Sequence, residues 1–367
     1  MRLSASRVAT LLVVVVGLIP SSLLAADAWP GLPAINGTVK IPAQEWPLKP
    51  GPRQVLVTIH FPGGKLANVT AKTGLMLSLH NWGGTGCAGT ANPVQLADHF
   101  NVVCLCVDYL QSGVKESVED PEPYDFGYLQ ALDALRALSW LEKSLVEQKI
   151  AFAKGRVYAT GGSGGGNVTL MVNKLAPRTF ACNIDMCGMS RLTDDMAFNL
   201  PGGTDLNARY SRDPQNPFYL TPDHQQLRYV GNPTHLEVMK KLGNSSRVIV
   251  VHGVQDTACP VADAREMVAN MEAAKLTVEP WFITPAEVDG KAILSPGHSL
   301  GNRTLIVFKV ADQYLLPDSP RAAVRAGASD FERREDIVYP TANGKFVISY
   351  AEGYPVGRFE KTADAAK

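Results

Sequence analysis

The 367-residue sequence lacks an excess of either charge: Lys plus Arg and Asp plus Glu both number 35. Without a basic tract there is no electrostatic footprint for nucleic acid, and without an acidic block there is no sign of a solvated, disordered arm. Internal repeats and low-complexity blocks are missing too. Cysteine is sparse, six in all, and its spacings do not read as a zinc site. The apolar run near the N-terminus, residues 8–20, is short for a membrane span. Nothing in the sequence calls for a metal or an organic cofactor, so none is expected.

What is present is ordinary for a soluble globular protein, with 46% hydrophobic and 19% charged residues. The length suits one large α/β domain with additions, or two domains. Residues 1–26 have the order of a signal peptide: Arg2 and Arg7, then the apolar run, then small residues around Ala25 and Ala26. The mature protein is expected to be secreted or periplasmic, with no stable membrane span after cleavage; an uncleaved anchor is the alternative. Export permits disulfides. Cys104 and Cys106 alternate on one strand and are expected to be buried as small apolar residues. Cys87, Cys187 and Cys259 each follow a strand, and a pair such as Cys187 with Cys259 is one option.

Along the chain, residues 34–46 and 53–61 are strand-like. The runs Leu75-Met76-Leu77-Ser78-Leu79, Val102-Val103-Cys104-Leu105-Cys106-Val107 and Arg247-Val248-Ile249-Val250-Val251 read as strands covered on both faces. Helical spacing marks residues 93–100, 261–274 and 301–316, and a leucine series from Leu129 to Leu145 with Asp125 as its N-cap. Pro280 puts the strand at 278–283 at an edge. Alternating strands and helices predict a mostly parallel, doubly wound α/β sheet. Two segments break the alternation. Residues 189–244 are too long for a plain connection and are expected to form an inserted cap. Residues 318–367 hold Asn343-Gly344 between two strand-like runs, a hairpin signal, with a disordered tail from about Lys361. The predicted domain is therefore 27–317, with 318–367 as an extension.

The chemistry centres on Val157-Tyr158-Ala159-Thr160-Gly161-Gly162-Ser163-Gly164-Gly165-Gly166. An apolar run feeds Gly-x-Ser-x-Gly, and helical spacing follows, which is the strand, sharp turn and helix of a nucleophile elbow. Gly161 and Gly165 suit a turn where the chain doubles back and needs either close approach or φ > 0. A phosphate-binding glycine loop, or a plain turn, is the competing reading. A serine hydroxyl needs a base, and the base an orienting acid. On an elbow the chain order is Ser, then Asp or Glu, then His. Asp256 follows the 247–251 strand, and His298 follows the last strand, both at the carboxyl ends where open α/β sheets place their sites. An oxyanion hole needs convergent backbone N–H groups. Gly164 supplies one, and the loop His80-Asn81-Trp82-Gly83-Gly84 the other, from Trp82 or Gly83.

Rival residues are weighed in the same way. Ser299 also stands in Gly-x-Ser-x-Gly, but no histidine follows it and no strand leads into it. His60 and His252 read as structural, His80 as shaping the oxyanion loop, and His99, His224 and His235 as surface or cap residues. Asp185, Asp263, Glu287 and Asp289 are lesser candidates for the acid.

Together the elbow at Ser163, the 80–84 loop, Asp256 and His298 resemble the α/β-hydrolase superfamily over roughly residues 55–316. Within it the chain is nearer to the secreted bacterial esterase and prolyl-oligopeptidase-like branch than to lipases. The loop is His-Asn-Trp-Gly-Gly rather than His-Gly-Gly-Gly, which leaves the second oxyanion donor open. The resemblance implies a serine hydrolase working through an acyl-enzyme on a small-molecule or carbohydrate ester, with no nucleic-acid partner. A serine peptidase is the alternative, lowered by the missing N-terminal propeller of oligopeptidases; a non-catalytic binding protein on the same fold is another.

Overall fold

The computed structural model describes residues 29–362, so the expected signal segment and the end of the tail lie outside the described residues. The chain forms β1 (Gly37–Ala43), β2 (Arg53–His60), β3 (Gly74–Leu79), α1 (Pro93–Phe100), β4 (Val102–Asp108), α2 (Tyr128–Glu147), β5 (Val157–Gly162), α3 (Gly164–Leu175) and β6 (Cys182–Met186). There follow α4 (Asp194–Phe198), α5 (Pro222–Leu227), α6 (Pro233–Lys241), β7 (Arg247–Gly253), α7 (Val261–Ala273), β8 (Val278–Ile283) and α8 (Arg303–Leu315). The C-terminal part holds α9 (Asp330–Arg333), β9 (Asp336–Pro340), β10 (Gly344–Ser349) and β11 (Val356–Lys361).

Eight strands make one sheet in the order β1-β2-β4-β3-β5-β6-β7-β8. Only β2 runs against its neighbours; β4, β3, β5, β6, β7 and β8 pair in parallel. The parallel strands are apolar on both faces because helices cover both. Leu75, Leu77 and Leu79 pack with Leu132, Leu135, Met171 and Leu175 of α2 and α3. Met76, Tyr158, Ile184 and Ile249 point the other way, onto Leu96 of α1 and Ile306 and Val310 of α8. β8 is the edge, where Pro280 costs no interior ladder bond.

Two expectations are corrected, the N-cap of α2 and the state of Cys106. Gly127, at φ 91°, is the N-cap of α2, while Asp125 Oδ2 accepts the N–H of Gln130 at 3.1 Å. A side chain at 127 would strike Asn167 and Met171, so the tight passage beside α3 decides where α2 begins. The hairpin expected about Asn343-Gly344 is present as β9 and β10, and β11, which ends at Lys361, adds a third antiparallel strand to it; the tail beyond residue 362 lies outside the described residues. Its tyrosines Tyr339 and Tyr350 donate to the carbonyls of Lys174 and Leu175 at the end of α3. Asp330 anchors the same extension: its buried carboxylate accepts from Arg178 N, Arg178 Nε and Thr179 Oγ1 at 2.8, 2.7 and 2.9 Å.

Segment 189–244 divides in two. Met189, Leu192, Met196, Ala197, Ala208 and Leu220 pack with Tyr124, Phe126 and Cys259 in a small core of their own, with Trp82 at its border. Helix α6 lies elsewhere, against α7 and β9, where His235 Nε2 meets the carbonyl of Pro340 at 2.9 Å.

The cysteine pairing also differs. Cys106 is not a free apolar residue: it is bonded to Cys87, with Cα atoms 5.5 Å apart. β3 and β4 are parallel neighbours, so the loop after β3 lies over the end of β4 and brings the two together. Cys104, Cys182, Cys187 and Cys259 are free and buried. Closing a loop of this size restricts the unfolded chain by about 3 kcal/mol. Replacing both Cys87 and Cys106 by Ala should lower unfolding free energy by about that amount in urea titrations, with no change in far-ultraviolet circular dichroism.

Candidate active site

Ser163 sits in the turn between β5 and α3 with φ 55° and ψ −121°, a region that costs a non-glycine residue strain. The surrounding hydrogen bonds hold it there. Its N–H donates to Met186 O at 2.9 Å, and its carbonyl accepts the first bond of α3 from Asn167 at 3.0 Å. The flanking glycines do not supply positive φ, contrary to one sequence expectation; their role is close approach. A Cβ on Gly161 would run into the carbonyl of Gly165, and one on Gly165 into the carbonyls of Leu79 and His80.

His298 reaches Ser163 from the far edge of the sheet. Its Nε2 is 2.9 Å from Ser163 Oγ and its Nδ1 is 2.8 Å from Asp256 Oδ2. The segment carrying it is closed by the bridge Ile293–Gly301 and rests on the end of β7, where Gln255 N–H donates to Pro296 O at 2.9 Å. Gly253 has no room for a side chain, because Pro296 O and Gly297 O fill the space. The His298 side chain is 30% exposed, whereas that of Asp256 is fully buried.

Burial alone would raise the pKa of Asp256, but the His298 hydrogen bond and the N–H of Cys259 outweigh it and hold the carboxyl below its usual range. Oδ1 accepts from Ala258 N and Cys259 N at 2.9 and 2.8 Å. His252, read from sequence as a packed residue, also faces this carboxylate, its Nε2 3.4 Å from Oδ2 and 2.8 Å from Cys259 O. Burial lowers its pKa, which keeps it neutral. The thiols of Cys187 and Cys259 border the same group and are pushed up by burial and by Asp256. Two trios, Cys187–His252–Asp256 and Asp256–Cys259–His298, have ligand-type atoms within 4.8 Å of one another. In both, Asp256 is already taken up by N–H donors.

The two oxyanion candidates have different neighbours. A Cβ at Gly164 would lie 2.6 Å from the backbone N of Trp82, so these two amides are neighbours. No carbonyl of the described residues accepts the N–H of Trp82 or of Gly83. Gly83, at φ 81°, instead faces Val114, Ser117 and Val118. Trp82 is held by stacking on Tyr124, with ring centres 3.9 Å apart at 8°, and by donating its indole N–H to Ser117 O at 3.0 Å. Buried His80 stacks on Tyr109 at 3.9 Å and sits 2.7 Å from Ser112 Oγ, which braces the start of the loop.

The remaining candidates lie apart. Ser299 is exposed on the turn beside His298. Glu287 and Asp289 cap their own loop, through Thr284 and through Lys291, Ala292 and Ile293. Asp263 pairs with Arg191. His60 is half-buried in β2, His99 pairs with Asp312, and His224 lies beside Arg228. Asp185 stands under the elbow: burial, less the pull of Gly188 N–H and Arg303, and with Asp256 adding repulsion, raises its pKa to about 7. A cavity of about 440 Å³, lined by Trp46, Arg53, Asp108 and Glu116 among others, holds none of Ser163, Asp256 and His298.

Among solved structures, the acylaminoacyl peptidase of Pyrococcus horikoshii in its orthorhombic form matches with TM-score 0.51 at 12% identity, over 77% of this chain and 42% of that one. The chain has the α/β-hydrolase fold. The uncomplexed form of the same peptidase matches this α/β-hydrolase fold with TM-score 0.50 at 13% identity, again over 77% and 42%. This chain thus spans less than half the length of those peptidases. Esterase 2 of Thermogutta terrifontis, phosphonylated by cyclosarin, matches with TM-score 0.41 at 13% identity, over 66% of this chain and 81% of that one. Residues 137–287, from α2 through β8, match the prolyl oligopeptidase family. No curated protein matches the chain.

Two outcomes follow for the α/β-hydrolase site. Gly164→Ala pushes a methyl group between the two amides and should lower kcat by about 100-fold or more while the protein stays folded. Asp185 takes up a proton on folding between about pH 4 and pH 7. Its contribution to stability therefore declines as pH rises through that window. Asp185→Asn should remove this decline, seen as a smaller difference between urea unfolding free energies at pH 5 and pH 8 than in the wild type.

Proposed function

We propose that this chain is a serine hydrolase that cleaves carboxylic esters through a covalent acyl-enzyme. The observation that carries the proposal is the continuous series Ser163–His298–Asp256, with bonds of 2.9 and 2.8 Å, ending beside two free-standing amides. Ser163 Oγ attacks the carbonyl carbon while its proton moves to His298 Nε2. Asp256 orients the imidazole and stabilises its cation, and the N–H groups of Gly164 and Trp82 receive the oxyanion. His298 then protonates the leaving oxygen, and water repeats the sequence on the acyl-enzyme. No metal or organic cofactor enters these steps.

The substrate proposed is a small acyl compound or a carbohydrate ester, met outside the cytoplasm. The signal-like order of residues 1–26 and the Cys87–Cys106 bond both support an oxidising compartment. A peptidase is the second reading, favoured by the match of residues 137–287 to the prolyl oligopeptidase family.

A fluorophosphonate probe should label the wild type and not Ser163→Ala. A folded protein that resists the probe would instead be a binding protein on this fold. Turnover of p-nitrophenyl acetate without cleavage of peptide anilides is the result expected of an esterase; preferred cleavage of the anilides would make it a peptidase.

A further inference from the structure

Arg303 is the first residue of α8, five positions beyond His298. Its guanidinium lies against the Cα of Gly162, the residue before Ser163: a Cβ there would occupy the place of Nη1, with Gly89 O the next neighbour. Nη1 donates to Gly89 O. That accounts for one of five N–H donors in the fork. The other large buried or part-buried cations are used differently. Arg156 spends its fork on the carbonyls of Lys72, Phe100, Asn101 and Leu315, and Arg228 pairs with Asp125 at 3.0 Å.

Arg303 has no comparable counter-charge. Asp185 and Asp256 act on it only through space, as do the thiols of Cys187 and Cys259. Asp256 is committed to His298, Ala258 and Cys259, whereas Asp185 gives one oxygen to Gly188 N at 2.9 Å, leaves the other without a hydrogen bond, and has its pKa raised to about 7 by burial, so it makes no ion pair with Arg303. Burial disfavours the charged form, yet the side chain stays part-exposed beside the elbow. A part-buried guanidinium beside the serine turn, with N–H groups not taken up by protein acceptors, is suited to bind a carboxylate through paired N–H bonds.

Gly161 faces Thr169 of α3, whereas Gly162 faces Arg303 on the α8 side of the sheet. The oxyanion amides belong to the Trp82 side. His298, which hands its proton to the departing oxygen, precedes Arg303 on one short segment. Resting on the serine-hydrolase reading, we propose that Arg303 is a specificity-determining residue that binds a carboxylate on the leaving group. The substrates preferred are then acyl esters of hydroxy acids. Water and ester give a carboxylic acid and a free hydroxy acid: the acyl C–O bond breaks, the leaving oxygen takes the proton from His298, and Arg303 holds the carboxylate throughout.

The test compares wild type, Arg303→Gln and Arg303→Lys on 4-acetoxybenzoate, its methyl ester, and mono-4-nitrophenyl succinate, which carries its carboxylate on the acyl side. Ratios between enzymes cancel the differing reactivities of the esters. Arg303→Gln should lower kcat/KM for 4-acetoxybenzoate about tenfold or more relative to the methyl ester, as loss of a charged hydrogen bond implies, with Arg303→Lys recovering part of it. Equal losses on all three esters would reduce Arg303 to packing against Gly162 and Gly89 and overturn the proposal. A loss confined to the succinate would overturn the choice of side. If no ester is turned over by the wild type, the hydrolase reading fails; calorimetric binding of 4-hydroxybenzoate to wild type, absent in Arg303→Gln, then still decides the role of Arg303.

Discussion

The site depends on how closely the first turn of α3 approaches the ends of β5 and β3. Gly165 touches the carbonyls of Leu79 and His80, and Gly161 touches Gly165, so the three backbones meet with no side chain between them. This contact sets the height of α3 above the sheet. It also carries Gly164 to the amide of Trp82, and it forces Ser163 alone into the strained region at φ 55°. Strain on a serine is tolerated because its N–H and carbonyl are both bonded, to Met186 and Asn167.

Charge around the turn is arranged by solvation as much as by pairing. Asp256 and Asp185 are both carboxylic acids at the carboxyl end of the sheet, yet they are pushed in opposite directions. The first collects N–H donors from His298, Ala258 and Cys259 and stays ionised; the second has one backbone donor and a buried second oxygen without a partner. Deeper burial of Asp185 and its fewer donors together separate them. Arg303 feels both acids through space without pairing with either, which is the ground for proposing that a ligand carboxylate binds there.

Much of the fold could be read from local pattern. Both-sided apolar runs marked β3, β4 and β7, and helix 93–100 was legible from its spacing; its cap, Asn92, emerged only in the structure. The meeting of Ser163, Asp256 and His298 could be expected because each follows a recognisable strand and their order suits an elbow. Other features left no local trace. β11 has an alternating but half-exposed face, and its pairing with β10 comes from a contact made by the extension as a whole. Cys87 lies 19 positions from Cys106 and could have joined several partners. The proposal of Trp82 rather than Gly83 rests on the contact that the loop makes with Gly164, which no local pattern shows. Arg303 carried no motif at all.

The sequence by itself determined the alternation of strands and helices, the turn at Ser163, and the order of acid and base along the chain. These follow from periodicity and from residues whose backbone needs are local. Only the tertiary structure decided which loops meet over the sheet edge, how segment 189–244 divides, which cysteines bond, and which cation adjoins the elbow. Those outcomes depend on distances between residues far apart in the chain, and such distances are set when strands from β1 to β8 are packed in one sheet, not by the neighbours of any single residue.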